Sequence, residues 1–291
     1  MQVGVVFPQT EIEADAGAIR AYAEGVESLG FRHVLAYDHV LGADPAAHPG
    51  WSGFYDVNAT FHEPLVLFGF LAGVTSLDLV TGVVILPQRQ TVLVAKQAAE
   101  VDLLCGGRLR LGVGLGWNVV EYDALAKDFT TRGRRLDQQI ELMRRLWTER
   151  SITATDTDER VVGAGLAPLP VQRPIPIWFG GKSAAACRRI GRIGDGWIPN
   201  LTPGPELAAG WDVVVAAAEA AGRDPAAIGL EGRIKWTGDE DWFAAEAQRW
   251  ADAGATHLSV DTMSAGLGPV DGHLAALSAA AKLLQLTAPR N

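Results

Sequence analysis

The sequence predicts an α/β protein built as a single eight-stranded parallel β/α (TIM) barrel, with insertions after strands two and four. Three observations lead there. Short runs rich in β-branched residues alternate with helix-period segments along the whole chain, the pattern of repeated β/α units around a parallel sheet. Eight such runs can be counted, the number that closes a barrel. A chain of 291 residues is also close to the roughly 250 residues of a one-domain barrel, so one domain over residues 1–291 is expected.

The expected strands run from Val3 to Phe7, His33 to Tyr37, Leu79 to Leu86, Arg110 to Gly114, Ile175 to Phe179, Gly196 to Pro199, Leu230 to Trp236 and Thr256 to Val260. Helical patterns fill the gaps from Ala14 to Leu29, Thr91 to Leu104, Arg134 to Trp147, Ser183 to Ile193, Glu206 to Ala221, Asp241 to Ala253 and Pro269 to Leu286. Several stop at a glycine (Gly30, Gly106, Gly194, Gly222, Gly254), as helices commonly do. Two connections are too long for simple turns. Leu41 to His62, rich in Pro, Gly and aromatics, reads as a lid or substrate-side loop. Thr148 to Pro174 mixes Thr-Asp repeats with Gly and Pro, and Ile152-Thr153-Ala154 with Arg160-Val161-Val162 suggests a small hairpin.

Composition excludes several classes. A formal charge of -9 opposes nonspecific attraction to nucleic acid or anionic membranes, and no basic tract interleaved with aromatics appears. No apolar run is long enough to span a bilayer, and Met1 to Phe7 lacks the basic flank of a signal peptide. Cys105 and Cys187 are far apart and form no Cys-x-x-Cys pair, which fits a reducing cytoplasm. The six histidines make neither His-x-His nor His-Glu-x-x-His, so no metal site is expected.

Catalytic groups of such barrels sit at the C-terminal ends of strands. That rule selects Phe7-Pro8-Gln9, Asp38-His39, Leu86-Pro87, Gly114 to Asn118, Gly180-Gly181, Pro199-Asn200, Trp236 and Asp261-Thr262. Asp38-His39 offers a general acid or base beside a hydrogen-bond acceptor, or a capping Asp beside a surface His. Gly112, Gly114 and Gly116 strip side chains from a strand-to-helix turn, where backbone can approach a flat or phosphorylated cofactor. They match the dinucleotide fingerprint only in part, because Val119 stands at its third glycine. Gly180-Gly181-Lys182-Ser183 opens a helix, a junction suited to an anion. Lys235, on a strand, is the one candidate for a Schiff base.

The order of these signals carries a resemblance. Asp38-His39 is followed by Thr81-Gly82-Val83-Val84-Ile85-Leu86-Pro87, Ala95-Lys96-Gln97-Ala98-Ala99 and Leu103 to Leu109, then by Gly112-Val113-Gly114-Leu115-Gly116-Trp117-Asn118, Arg132 to Leu136, Leu146-Trp147 and Gly194-Asp195-Gly196-Trp197. Over nearly its whole length the chain resembles the bacterial luciferase-like superfamily, and within it the oxidoreductases dependent on the deazaflavin coenzyme F-420.

The resemblance implies a barrel enzyme, commonly a homodimer, that transfers hydride between coenzyme F-420 and a small organic substrate at the barrel mouth. By it, Asp38 contacts the cofactor and His39 exchanges a proton near the reactive ring. Val83 and Val84 match a non-proline cis peptide that supports the ring, and Leu86 lines the ring edge. Gly114, Gly116, Trp117 and Asn118 border the cofactor, and Gly180, Gly181 and Asn200 hold its phosphate. Where some relatives carry a catalytic glutamate, this chain has Trp117-Asn118, with Glu121 a turn further on. That departure points to a reductase of an apolar or conjugated substrate, walled by Trp51, Phe54 and Trp117, rather than a sugar-phosphate dehydrogenase. The alternatives are an FMN-dependent monooxygenase using reduced flavin and oxygen, and a noncatalytic flavin-binding protein.

Overall fold

A computed structural model describes residues 1–12, 14–155 and 159–288. The β-branched runs become β1 (Gln2–Val6) and β2 (His33–Ala36), joined by α1 (Ala16–Ser28), whose first amides are capped by Asp15. α2 (Pro64–Leu71), β3 (Asp78–Thr81), β4 (Val84–Ile85), α3 (Thr91–Leu104) and β5 (Leu109–Gly114) follow. Next come α4 (Val119–Ala124), α5 (Arg132–Thr148), β6 (Ile152–Ala154), β7 (Val161–Ala164), β8 (Ile177–Gly180) and α6 (Ala184–Ile193). The chain ends with β9 (Gly196–Ile198), α7 (Pro205–Ala220), β10 (Gly229–Lys235), α8 (Glu240–Asp252), β11 (His257–Asp261) and α9 (Val270–Leu283).

The strands close in the order β1-β2-β3-β5-β8-β9-β10-β11 and back to β1, every pair parallel. The eight-stranded barrel is therefore as expected. β6 and β7 pair antiparallel outside it, the expected hairpin, while residues 156–158 of the Thr-Asp repeat lie outside the described residues. α2 is absent from the expected helices because its sequence, PLVLFGFL, is apolar on every face and shows no helical period.

The expected third strand is divided. β3 stops at Thr81, the cis peptide is Gly82–Val83, one bond before the expected Val83–Val84, and β4 resumes at Val84 to pair with β5 through Val84–Val113 and Ile85–Gly114. The division lifts Val83 out of the ladder. Its side chain settles where two neighbours have none: a Cβ on Gly114 would lie 2.5 Å from Val83 Cγ2, and a Cβ on Gly180 3.2 Å from both Val83 methyls. Gly116 likewise makes room for Ile85, whose Cγ2 would be 2.7 Å from an added Cβ. These glycines are thus required first by packing against β4.

Below this level the barrel interior is charged, which alternation alone did not reveal. Glu231 accepts from Arg110 Nη1 at 2.8 Å and Ser259 Oγ at 2.6 Å, and lies 3.0 Å from His33 Nε2. Trp178 caps the group, with the Arg110 guanidinium 4.6 Å from its ring centroid. Burial works against the Glu231 charge, but Arg110 and His33 outweigh it and hold the carboxyl well below its usual range. Burial keeps His33 below the ordinary histidine value, and burial with Arg110 takes His257 down to about 3.

Two predictions follow from this packing. Because the unfolded chain binds protons that the folded histidines refuse, their contribution is complete above about pH 6.5 and is lost as pH falls toward the folded values. Glu231 adds a loss in the same direction below its unfolded value of about 4.5. The guanidinium midpoint at constant ionic strength should therefore drop between about pH 7 and about pH 5; a flat profile contradicts the buried neutral histidines. Gly114→Ala should cost about 1–3 kcal/mol by overpacking. In urea unfolding, combining it with Val83→Ala should lose less than the sum of the two single changes.

Candidate active site

β2 delivers Tyr37, Asp38 and His39 to the C-terminal end of the barrel, where they open onto a cavity of about 530 Å³. The cavity has two unlike walls. One runs along β4, β5 and β8, where Gly114, Gly116, Gly180 and Gly181 present backbone and Val83, Ile85, Leu115 and Phe179 present apolar side chains. The other is polar, built from Tyr37, Arg233, Asp261 and Asn200 at the ends of β2, β10, β11 and β9. Phe54 and Tyr55 of the long insertion and Trp117 after β5 form an aromatic rim.

Asp38 lines the cavity, but its carboxylate is engaged in holding the floor. Oδ2 accepts from the Ile85 N–H at 3.0 Å and Oδ1 from Arg89 Nη2 at 2.7 Å. Arg89 reaches on to Glu63 at 2.7 Å, which caps α2 through the Val66 N–H. Burial pushes the Asp38 carboxyl up, and the Arg89 guanidinium opposes it.

His39 sits among Tyr55, Phe61 and Trp117, with ring centroids 5.2, 4.7 and 5.7 Å away. Its Nδ1 is 3.3 Å from Glu121 Oε1, an oxygen that also accepts from the Val40 N–H at 2.8 Å and the Leu41 N–H at 3.3 Å. Burial acts to raise the Glu121 carboxyl, but hydrogen bonds from His39, Leu41 and Gln88 bring it below its usual range. An ionised carboxylate only accepts, so the hydrogen of neutral His39 lies on Nδ1 and Nε2 keeps its lone pair. Glu121, a turn beyond the strand-five glycines, thus reaches the site after all. The sequence offered its position on α4 but not the approach of the β2 loop to it.

At the far end of the glycine-rich wall, α6 begins at Ser183, whose Oγ caps the Ala186 N–H at 3.2 Å. Gly181 has φ +110, a left-handed angle open mainly to glycine, and its carbonyl accepts from Trp197 Nε1 at 2.7 Å. Ser183 and Arg189 line the cavity here, the latter paired to Asp137 at 2.7 Å. A helix N-terminus beside a guanidinium suits an anionic group.

Of the residues that the resemblance assigns to the cofactor, Asp38, His39, Val83, Gly114, Gly116, Trp117, Gly180, Gly181 and Asn200 line the cavity together. Three do not. Val84 and Leu86 are fully buried in the core, Leu86 opening a 3-10 turn, and Ile85 faces the cavity between them. Asn118 is buried as the cap of α4, accepting from the Val120 and Glu121 N–H groups. Lys235 is exposed and outside the cavity, so the Schiff-base candidate is set aside, and Lys182 pairs with Glu206 at 3.3 Å away from the main cavity. Trp51 packs on Trp117 at 5.7 Å without lining the cavity. Arg233 was missed, although Glu231 and Arg233 two apart on one strand place two charges on one face.

The chain is similar to several known proteins. A 34% identical, uncharacterized protein of Mycobacterium tuberculosis aligns over 179 residues, 61% of this chain and 62% of that protein. The F-420-dependent hydroxymycolic acid dehydrogenase of the same organism is 30% identical over 256 residues, 85% of this chain and 66% of that protein. Among solved structures, a monooxygenase from Streptomyces bottropensis superposes with a TM-score of 0.78 at 22% identity, covering 98% of this chain and 99% of the other. An F-420-dependent secondary alcohol dehydrogenase in complex with an F-420-acetone adduct also gives 0.78, at 18% identity, covering 96% and 98%. The family model described as luciferase-like monooxygenase matches residues 1–284. That match over nearly the whole chain makes the protein a member of the luciferase-like monooxygenase family.

Proposed function

We propose that the protein is an oxidoreductase that binds coenzyme F-420 at the barrel mouth and transfers a hydride between it and a small organic substrate. The observation that carries this reading is that His39, oriented by an ionised Glu121, opens onto the same cavity as Val83 and the glycines at 114, 116, 180 and 181. The 30% identical F-420-dependent dehydrogenase supports the choice of cofactor.

The cavity fits such a group at both ends. Val83 and the Cβ-free positions 114 and 180 offer a floor for a planar ring, and the start of α6 with Ser183 and Arg189 offers donors for a phosphate. Bound there, a deazaflavin supplies a ring carbon that gives or accepts hydride. The chain supplies the rest. His39 Nε2 takes a proton from a substrate hydroxyl, or returns one to a carbonyl in the reverse direction, while Glu121 fixes the ring through Nδ1. Phe54, Tyr55 and Trp117 cover this end with apolar surface, which keeps water from the reacting atoms.

An FMN-dependent monooxygenase is the second reading, favoured by the description of the matching family. The reading of a small-molecule enzyme extends to a cytoplasmic homodimer. Cys105 and Cys187 are buried free thiols, and α2 and α3 expose Val66, Leu93 and Leu104. Light scattering should give twice the monomer mass, and a monomer would remove the dimer from the proposal.

Titration with coenzyme F-420 and, separately, FMN should quench protein fluorescence with the deazaflavin preferred; tight FMN retention without deazaflavin binding would decide for the monooxygenase. His39→Ala should lower kcat about 10²–10⁴-fold while leaving F-420 affinity nearly unchanged. Unaltered turnover in that variant would remove His39 from the proton transfer.

A further inference from the structure

Two arginines line the cavity, and they differ in how their charge is met. Arg189 is paired to Asp137. Arg233 is held by two neutral oxygens, donating from Nη1 to the Tyr37 hydroxyl at 3.0 Å and from Nη2 to Asn200 Oδ1 at 2.8 Å. Among the described residues no carboxylate lies within 4.0 Å of it. Elsewhere inside the barrel Arg110 has Glu231, and Arg89 has both Asp38 and Glu63.

Asp261 shares the wall but is turned to other work. Its Oδ1 accepts from the Met263 N–H at 3.0 Å, and its Oδ2 from the Tyr37 hydroxyl at 3.4 Å. Tyr37 thereby accepts from Arg233 while donating to Asp261, so the guanidinium is oriented without being neutralised by contact. Asp261 acts on this partly desolvated cation only through space, so an anion that docks directly on the guanidinium still gains a contact ion pair. Two of its five N–H donors are used, and the planar fork suits a carboxylate.

We propose that Arg233, oriented by Tyr37 and Asn200, anchors a carboxylate of the substrate, whose apolar body lies against Trp117 and Phe54 at the aromatic rim. The substrate class is then a small aromatic or conjugated carboxylate. This rests on the reading that the wall carrying Val83, Gly114 and Gly180 takes the cofactor ring, which leaves the Arg233 wall to the substrate. It joins features that otherwise have no shared purpose: a cation with no carboxylate in contact, Asp261 acting on it only through space, and at the rim Trp117, 38% exposed, and Phe54, 85% exposed.

Trans-cinnamate and trans-cinnamamide test the proposal, since they share size and shape and differ in charge. Binding is followed by quenching of protein fluorescence, with and without coenzyme F-420. The wild-type protein should bind the carboxylate about tenfold or more tightly than the amide, Arg233→Met should abolish the difference, and Arg233→Lys should restore part of it. Thermal unfolding of both variants confirms that they fold. The F-420 affinity of Arg233→Met, read from deazaflavin fluorescence, should stay within about twofold of wild type. Equal affinity for the two probes, including binding of neither, overturns the proposal, as does a preference that survives Arg233→Met. A parallel loss of F-420 affinity in Arg233→Met also overturns it, because Arg233 would then belong to the cofactor site. Wild-type protein that ignores F-420 yet keeps an Arg233-dependent preference for cinnamate defeats the cofactor reading while the carboxylate anchor stands.

Discussion

The site depends on the seating of one side chain. Val83 fits between β5 and β8 only because Gly114 and Gly180 have no Cβ, and it is kept there by the Asp38 carboxylate, which grips the Ile85 N–H just downstream. The same carboxylate holds Arg89, and Arg89 holds Glu63 at the start of α2. A single buried acid therefore ties the end of β2, the resumed strand β4 and a helix of the outer ring to one point. The floor of the cavity is fixed before any ligand arrives, as a site needing close placement of reacting atoms requires.

Around that floor the chemistry divides by wall. The β4, β5 and β8 side is apolar and rich in glycine and ends at the start of α6. The β2, β10 and β11 side carries hydroxyl, guanidinium and carboxyl groups. His39 stands at the rim, where Glu121 sets its tautomer and also holds the backbone of the loop leaving β2. One carboxylate thus joins the position of His39 to the loop that carries it. The proposed cofactor ring and the proposed substrate carboxylate fall on different walls because a flat ring needs absent Cβ atoms and a carboxylate needs a cation.

Much of this was legible in the sequence, for a local reason. Strand and helix periods are written in adjacent residues, so the eight barrel strands and the ends of α3, which matches Thr91 to Leu104, could be read directly. Asp38, His39 and the glycines were legible as strand-end residues, since the barrel rule converts chain position into cavity position. α2 was not, because a helix apolar on all faces has no period to read. The buried group of Arg110, Glu231 and His33 was not, because charge at alternate positions of a strand is ordinarily read as an outer face.

The sequence by itself determined the fold class, the family resemblance and the residues delivered to the barrel mouth, all of which follow from short-range pattern. Only tertiary structure decided what each of those residues does there. The glycines at 114 and 180 make room for Val83, Asp38 clamps Ile85 rather than standing free, Asn118 caps a helix, and Glu121 meets His39 from 82 residues away in the chain. Each of these roles is set by a partner distant in sequence and close in space. Which side chain faces which can be read only once the barrel has closed and its loops have met.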